Sequence, residues 1–173
     1  MQNTTTNVIA ICLVAALLFV APLIALTERN DNVVQENVEL IVNEFVTDIQ
    51  NTGVLSQAKY QSLENSLAAT GNTYNIEMEI QHLDENPGKK TTWAVSDKIG
   101  ENIYYSVYTS QIEDVLGSNG KYVLKEGDIV SVSVKNTNTT ISQMLRNFFY
   151  TVSGSDTYQV YAQHAAMVKS NGK

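Results

Sequence analysis

The sequence predicts an α+β protein tethered to a membrane, with an apolar transmembrane helix, an amphipathic helical stalk and a small antiparallel-sheet domain. Three observations carry this. The stretch VIAICLVAALLFVAPLIAL, residues 8–26, contains no charged side chain. Downstream, apolar residues recur at spacings of three and four from Val34 to Ile49. From Tyr74 the period falls to two, and segments of both kinds then alternate towards the C-terminus.

The apolar stretch comes first. Its 19 residues make a helix of roughly 28 Å at ~1.5 Å rise, close to the ~30 Å hydrocarbon core of a bilayer. A helix on the surface of a small soluble domain keeps one polar face, and this one has none. A cleaved signal peptide is the competing reading, but it wants a basic leader and a small-x-small cleavage site. MQNTTTN has no Lys or Arg, and Leu23-Ile24-Ala25-Leu26-Thr27 lacks the small pair. The expectation is therefore a retained single-pass anchor presenting Val8, Ile11, Leu13, Leu17, Phe19, Pro22 and Leu26 to lipid. Pro22 removes a backbone donor and is expected to bend the helix. Cys12 is the only cysteine, so the chain has no internal disulfide. Following Ile11, it lacks the small preceding residue of a lipidation site and reads as a packed or lipid-facing thiol. Basic residues are too few near either end to orient the span.

This divides the chain into a short flank (1–7), the anchor (8–26), a stalk of two helices (27–71) and an α+β domain (72–173). In the first stalk helix, Val34, Val38, Ile41, Phe45 and Ile49 form an apolar stripe opposite Glu36, Glu39, Asn43 and Asp48. The stripe must pack on its own domain or on a neighbouring copy, and the expectation is an interface between copies. Gly53 ends the helix, where a left-handed cap suits a residue without Cβ. Residues 27–32 either break the chain or carry it on as one long helix. A second helix starts at Ser56 as N-cap, with Leu55 stapled to Tyr60 and with Tyr60, Leu63 and Leu67 on one face.

In TYNIEMEIQHLD, Tyr74, Ile76, Met78, Ile80 and His82 alternate with Asn75, Glu77, Glu79 and Gln81, a strand with one dry and one wet face. ENPGKK is a turn. The preferred reading of residues 103–116 is a helix clustering Tyr104, Tyr105 and Tyr108; a shorter helix from Ser110 is the fallback. KYVLKEGDIVSVSV reads as a short strand, a turn at Glu126-Gly127-Asp128 and a strand carrying Val130, Val132 and Val134 on one side. Thr140 and Gln143 make a capping box for a helix whose Ile141, Met144, Leu145 and Phe148 form a buried stripe. A last strand carries Tyr158, Val160, Ala162, Ala166 and Val168 on one side. Strand, helix, strand, strand, helix, strand fits the split βαβ or ferredoxin-like arrangement. Without the short second strand, a three-stranded α+β sheet remains.

Convergent catalytic groups are missing from the pattern. His82 and His164 sit in different strands without ligand spacing; as neighbours across a sheet they would make a conceivable metal pair, but sheet-surface histidines are the plainer reading. Glu77 and Glu79 read as solvated carboxylates. There is no glycine-rich phosphate loop, nucleophile elbow or cysteine cluster. The expectation is a protein without cofactor, metal or catalytic residues. A formal charge of −7 and the lack of a basic stripe disfavour nucleic acid. Asn3-Thr4-Thr5 and Asn138-Thr139-Thr140 match the glycosylation pattern, the second also serving as a helix start. Nine tyrosines fit either strands or an interface. Trp93, Tyr104, Tyr105 and Tyr108 are the candidate partner or ligand surface.

An apolar N-terminal helix containing Pro22, its amphipathic continuation over 33–49 and a small α+β head from Tyr74 resemble pilin-type subunits. The likeness is greatest to the minor pseudopilins of Tad-type pili and to small proteins of Gram-positive conjugative or secretion systems. Bitopic scaffold proteins of such machines match the shape equally well. The glycine and glutamate of a prepilin-peptidase site are absent from MQNTTTNV. The resemblance implies a non-catalytic structural subunit of a cell-envelope assembly, with an extracytoplasmic C-terminal domain that touches the bilayer, further copies of itself or other assembly subunits. The alternative, of another class, is a single-pass protein with a ligand-binding or sensory ectodomain.

Overall fold

The computed structural model describes residues 2–84, 104–150 and 160–172. Anchor and stalk form one helix, α1 (Gln2–Thr52), of 51 residues. The polar run TERNDN does not interrupt it. Thr27 turns its hydroxyl back onto the carbonyls of Leu23 and Ile24, at 3.1 and 2.9 Å, and so spends its hydrogen bond inside the helix. Gly53 stops α1 with φ of 64° and donates its N–H to the Ile49 carbonyl.

After α1 come β1 (Val54–Ser56), α2 (Gln57–Ala68), β2 (Tyr74–Leu83) and β3 (Tyr104–Tyr108), then α3 (Thr109–Asn119), β4 (Lys121–Val123), β5 (Ile129–Asn136), α4 (Ile141–Tyr150) and β6 (Tyr161–Met167). The α+β class holds. Four strands form an antiparallel sheet in the order β3-β2-β5-β6, and β1 pairs with β4 in a separate two-stranded ribbon. One sheet face carries Met78, Ile80, Val130, Val132, Val134 and Ala162 into the core. The other is the expected wet face, where Glu77 and Glu79 stand opposite Ser133 and Ser131. Ser106 and Gln81 donate to Glu79 at 2.6 and 3.1 Å and hold its carboxyl below the usual range.

The ferredoxin-like arrangement is not what forms. There β2 would lie between β5 and β6, whereas β5 lies between β2 and β6. The short strand expected to join the sheet is β4, and β1 takes it instead. Residues 103–116 likewise do not make one helix. The aromatic and β-branched run Tyr104–Tyr108 goes into the sheet beside β2, as its side chains favour. The helix starts only at Thr109, with the Tyr108 N–H donating to Gln111 Oε1 at 3.1 Å.

The stalk stripe turns inward. Val34, Val38, Phe45 and Ile49 are buried, with Val42 and Val46, against β5 and β6, and Ile41 is packed at the margin of the same core. They are therefore not a seam between copies, because the sheet's own apolar face is already covering them. Tyr60, Leu63 and Leu67 of α2 and Ile112 and Leu116 of α3 complete this core on the same side. The head thus begins near Asp31, and the second half of α1 is its spine.

The α4 helix reverses its expected facing. Thr140 and Gln143 close the capping box, with the Thr140 N–H donating to Gln143 Oε1 at 3.0 Å. Yet Ser142 and Gln143 are the buried side chains, while Ile141 and Met144 point outward. The side chains of Leu145 and Phe148 lie outside the described residues.

Candidate functional site

Two regions of the chain invite a functional reading. The first is the free half of α1. Its apolar window is long enough to cross a membrane and none of it is buried in the protein. Val8, Ile11, Leu13, Phe19 and Leu26 are all exposed, as are Pro22 and Cys12. The side chain of Leu17 lies outside the described residues. An exposed apolar surface of this length is unstable in water, at ~25 cal/mol per Å² left wet, and calls for an apolar environment.

The second region is polar and lies where β2, the β4–β5 turn and β3 meet. Gly127, with φ of 95°, lets the turn double back, and the pairing of Gln81 with Ile129 brings Asp128 alongside His82. Asp128 Oδ2 sits 2.8 Å from His82 Nδ1, and His82 Nε2 sits 2.7 Å from the Tyr122 hydroxyl. Neutral His82 satisfies both contacts by donating from Nδ1 and accepting the tyrosine proton at Nε2. Asp128 is 2% exposed and accepts two backbone bonds as well, from Lys125 N–H at 2.8 Å and Leu83 N–H at 3.4 Å. The Tyr105 ring leans on the imidazole at 5.3 Å between centroids, and Tyr122 stacks on it at 5.7 Å.

An Asp–His–hydroxyl series resembles a proton relay, so its electrostatics matter. A relay must loosen the terminal proton. Here burial holds the Tyr122 proton more tightly, and the neighbouring Tyr105 and Asp128 charges add to that. The adjoining cleft, of about 590 Å³, is open, and His82, Tyr122 and Asp128 in its lining are already bonded to one another. What the cluster does chemically is tie the β4–β5 turn to the end of β2.

The expected aromatic surface is divided. Tyr105 faces the cleft opposite His82, Tyr104 pairs with Leu83 and sends its hydroxyl to the Gly127 carbonyl at 3.4 Å, and Tyr108 is exposed on the wet face opposite Glu79. Alternation along a strand forbids all three from lining one pocket. Trp93 lies outside the described residues. His164 is two strands away from His82, with β5 between them, so the two do not form a metal pair. Among the described residues, no group of three or more His, Cys, Asp or Glu side chains is placed to hold a metal.

Two functional side chains escape the sequence pattern. Asp128 is 46 residues from His82 and becomes its neighbour only through strand pairing. Asp31 is legible in principle, since it precedes Val34 and Val38 at helical spacing on the buried stripe. Its Oδ2 accepts the Thr140 hydroxyl at 2.8 Å, which fastens the start of α4 to α1. Asn138 of the second glycosylation pattern is engaged too, accepting from Thr73 N–H at 2.9 Å and donating to Asn72 Oδ1 at 2.9 Å.

Searched against protein-family models, curated proteins and solved structures, the chain matches none.

Buried tyrosines give the head a pH signature. Tyr60 is raised above its ordinary range by burial first and then by its hydrogen bond to Glu113, and Tyr122 is raised by burial. Both are neutral when protonated, so the folded state holds their protons more tightly than the unfolded chain. Their stabilising share is present below the unfolded value of about 10 and is lost as pH climbs above it. Thermal melts are expected to drop on the alkaline side of about pH 10, and Tyr60→Phe with Tyr122→Phe to flatten that drop. An unchanged alkaline limb in the double variant would show that other groups govern it.

Proposed function

We propose that this chain is a non-catalytic, membrane-anchored structural subunit of a cell-envelope assembly, pilin-like in build, with its head outside the cytoplasm. The observation that carries the reading is the division of α1. One continuous helix is bare and apolar over its first half and forms the spine of the sheet domain over its second. A rod so built fixes the head rigidly to whatever embeds the apolar half, which is the mechanical requirement on a building part. The resemblance to pilin-type subunits stated above supplies the kind of assembly, whether pilus, conjugation or secretion apparatus.

Because the stripe from Val34 to Ile49 is used internally, contacts between copies fall elsewhere. The apolar half itself is the natural seam, since helices in lipid associate by close packing of side chains. Leu40 and Val33, exposed on the free side of the spine, extend it outside the bilayer. Cys12 provides the test. Oxidative crosslinking of the full chain in native membranes is expected to yield a disulfide-linked pair, and dilution into detergent before the oxidant is added is expected to prevent its formation. Absence of any pair, both at Cys12 and when the thiol is walked through Ile11 to Val14, would remove self-assembly through this helix.

The ectodomain reading rests on the cleft beside His82. It is the weaker one, because His82, Tyr122 and Asp128 spend their hydrogen bonds on each other.

A further inference from the structure

We propose that α4 is a membrane-surface helix, lying in the headgroup layer of the bilayer that holds α1, with Ile141 and Met144 turned into the lipid. The proposal rests on the anchor reading above and adds a second contact with the same membrane.

The reversed facing of α4 is the first observation. An amphipathic helix on a water-soluble domain turns its apolar side to the protein. In α4, Ser142 and Gln143 are 2% and 4% exposed, while Ile141 and Met144 are 62% and 54% exposed. This facing is held by the capping box and by the Thr140 bond to Asp31. A first turn pinned with Ile141 and Met144 outward is suited to an apolar exterior.

Its height along α1 is the second observation. The Asp31–Thr140 bond sets the start of α4 level with Asp31. Leu26 is the last residue of the apolar stretch, and Asp31 lies five residue steps further along the same continuous helix. At ~1.5 Å per residue the start of α4 stands about 7 Å beyond the hydrocarbon edge. The headgroup layer occupies roughly 5–7 Å on each side of that core. Interfacial helices bury their apolar side at this boundary. By contrast the wet face of the sheet shows carboxylates, amides and hydroxyls. The outward apolar residues of α4 thus occur where lipid is within reach.

The test uses the full chain with Cys12→Ser, carrying one new cysteine labelled with an environment-sensitive fluorophore, in phosphatidylcholine vesicles. Some lipids carry a spin-label quencher, either near the headgroup or near the end of the acyl chain. Met144→Cys and, as a second position, Ile141→Cys are expected to show blue-shifted emission, quenched more by the shallow label than by the deep one. Leu18→Cys, in the middle of the apolar half, is the reference for the anchor and is expected to be quenched best by the deep label. Ser118→Cys, near the Gly120 contact with Gln57 at the far end of the head, is expected to be quenched by neither. Quenching at residue 18 without quenching at 144 and 141 overturns the proposal and leaves the anchor standing. No quenching at residue 18 removes the anchor and the proposal together. Shielding of 144 from aqueous iodide that depends on protein density, without lipid quenching, assigns the surface to a second copy and also overturns it.

Discussion

Replacing Val38 by glutamate is expected to unfold the head, whereas the same change two residues on, Leu40→Glu, is expected to leave it intact. Val38 is fully buried against the sheet and Leu40 is 65% exposed. Both sit in the interior of α1, where the helix propensity of glutamate is close to that of leucine. The two substitutions therefore differ chiefly in where the carboxylate goes. At residue 38 it enters the core among Val34, Val42 and the strands, an apolar cluster among the described residues, and the cost exceeds about 4 kcal/mol. A domain of this size holds only about 5–15 kcal/mol in reserve. At residue 40 it meets water, and the change stays within about 0.5 kcal/mol. Near-UV circular dichroism and limited proteolysis of the full chain in detergent micelles report on the head without being masked by the helical signal of the anchor. A folded Val38→Glu head would mean that the stripe packs against something other than its own sheet, and would restore the interface between copies that periodicity alone suggests.

That contrast also marks the limit of periodicity. The spacing of Val34, Val38, Ile41, Phe45 and Ile49 shows that a face exists, and the face is there. It carries no information on what covers it, because a sheet and a second helix offer the same apolar surface. The α2 cap at Ser56, the stop at Gly53, the two-faced strand β2 and the capping box at Thr140 are legible because each follows from local geometry. Three-residue β1 shows no period at all, and its pairing with β4 is what displaces the ferredoxin-like order. The run Tyr104–Tyr108 misleads because Ile103, Tyr104, Val107 and Tyr108 also fit a helical spacing, and the neighbouring β2 decides the matter. In α4 the spacing correctly groups Ile141 with Met144, and only the tertiary bond from Asp31 shows which way that group faces. The His82–Asp128 pair belongs to the same class. Its members meet through a strand register, and the sequence shows each only as a residue near a turn.

Asp128→Ala is expected to be the most damaging single change in the head outside the apolar core. It removes an acceptor from the His82 ring and from the Lys125 and Leu83 N–H groups at once. A buried donor left without a partner costs about 1–3 kcal/mol, which makes about 3–5 kcal/mol a fair expectation for the three together. Asp128→Asn should cost less, since one side-chain oxygen remains to accept from the turn. His82→Ala should cost less again, because Asp128 keeps its two backbone bonds. Chemical denaturation of the full chain in micelles, followed by near-UV circular dichroism, ranks the three variants. The sign carries more meaning than the size. Groups assembled for catalysis are commonly held at a cost to stability, so that removing them stabilises the protein. A latch does the opposite. If Asp128→Ala or His82→Ala raised the melting point, the cluster would be strained for chemistry, and the proposal of a building part without a reaction of its own would have to yield. Stability losses that shrink from Asp128→Ala through Asp128→Asn to His82→Ala fit a cluster whose task is to hold the β4–β5 turn against β2, with the tightly held Tyr122 proton as its outer boundary.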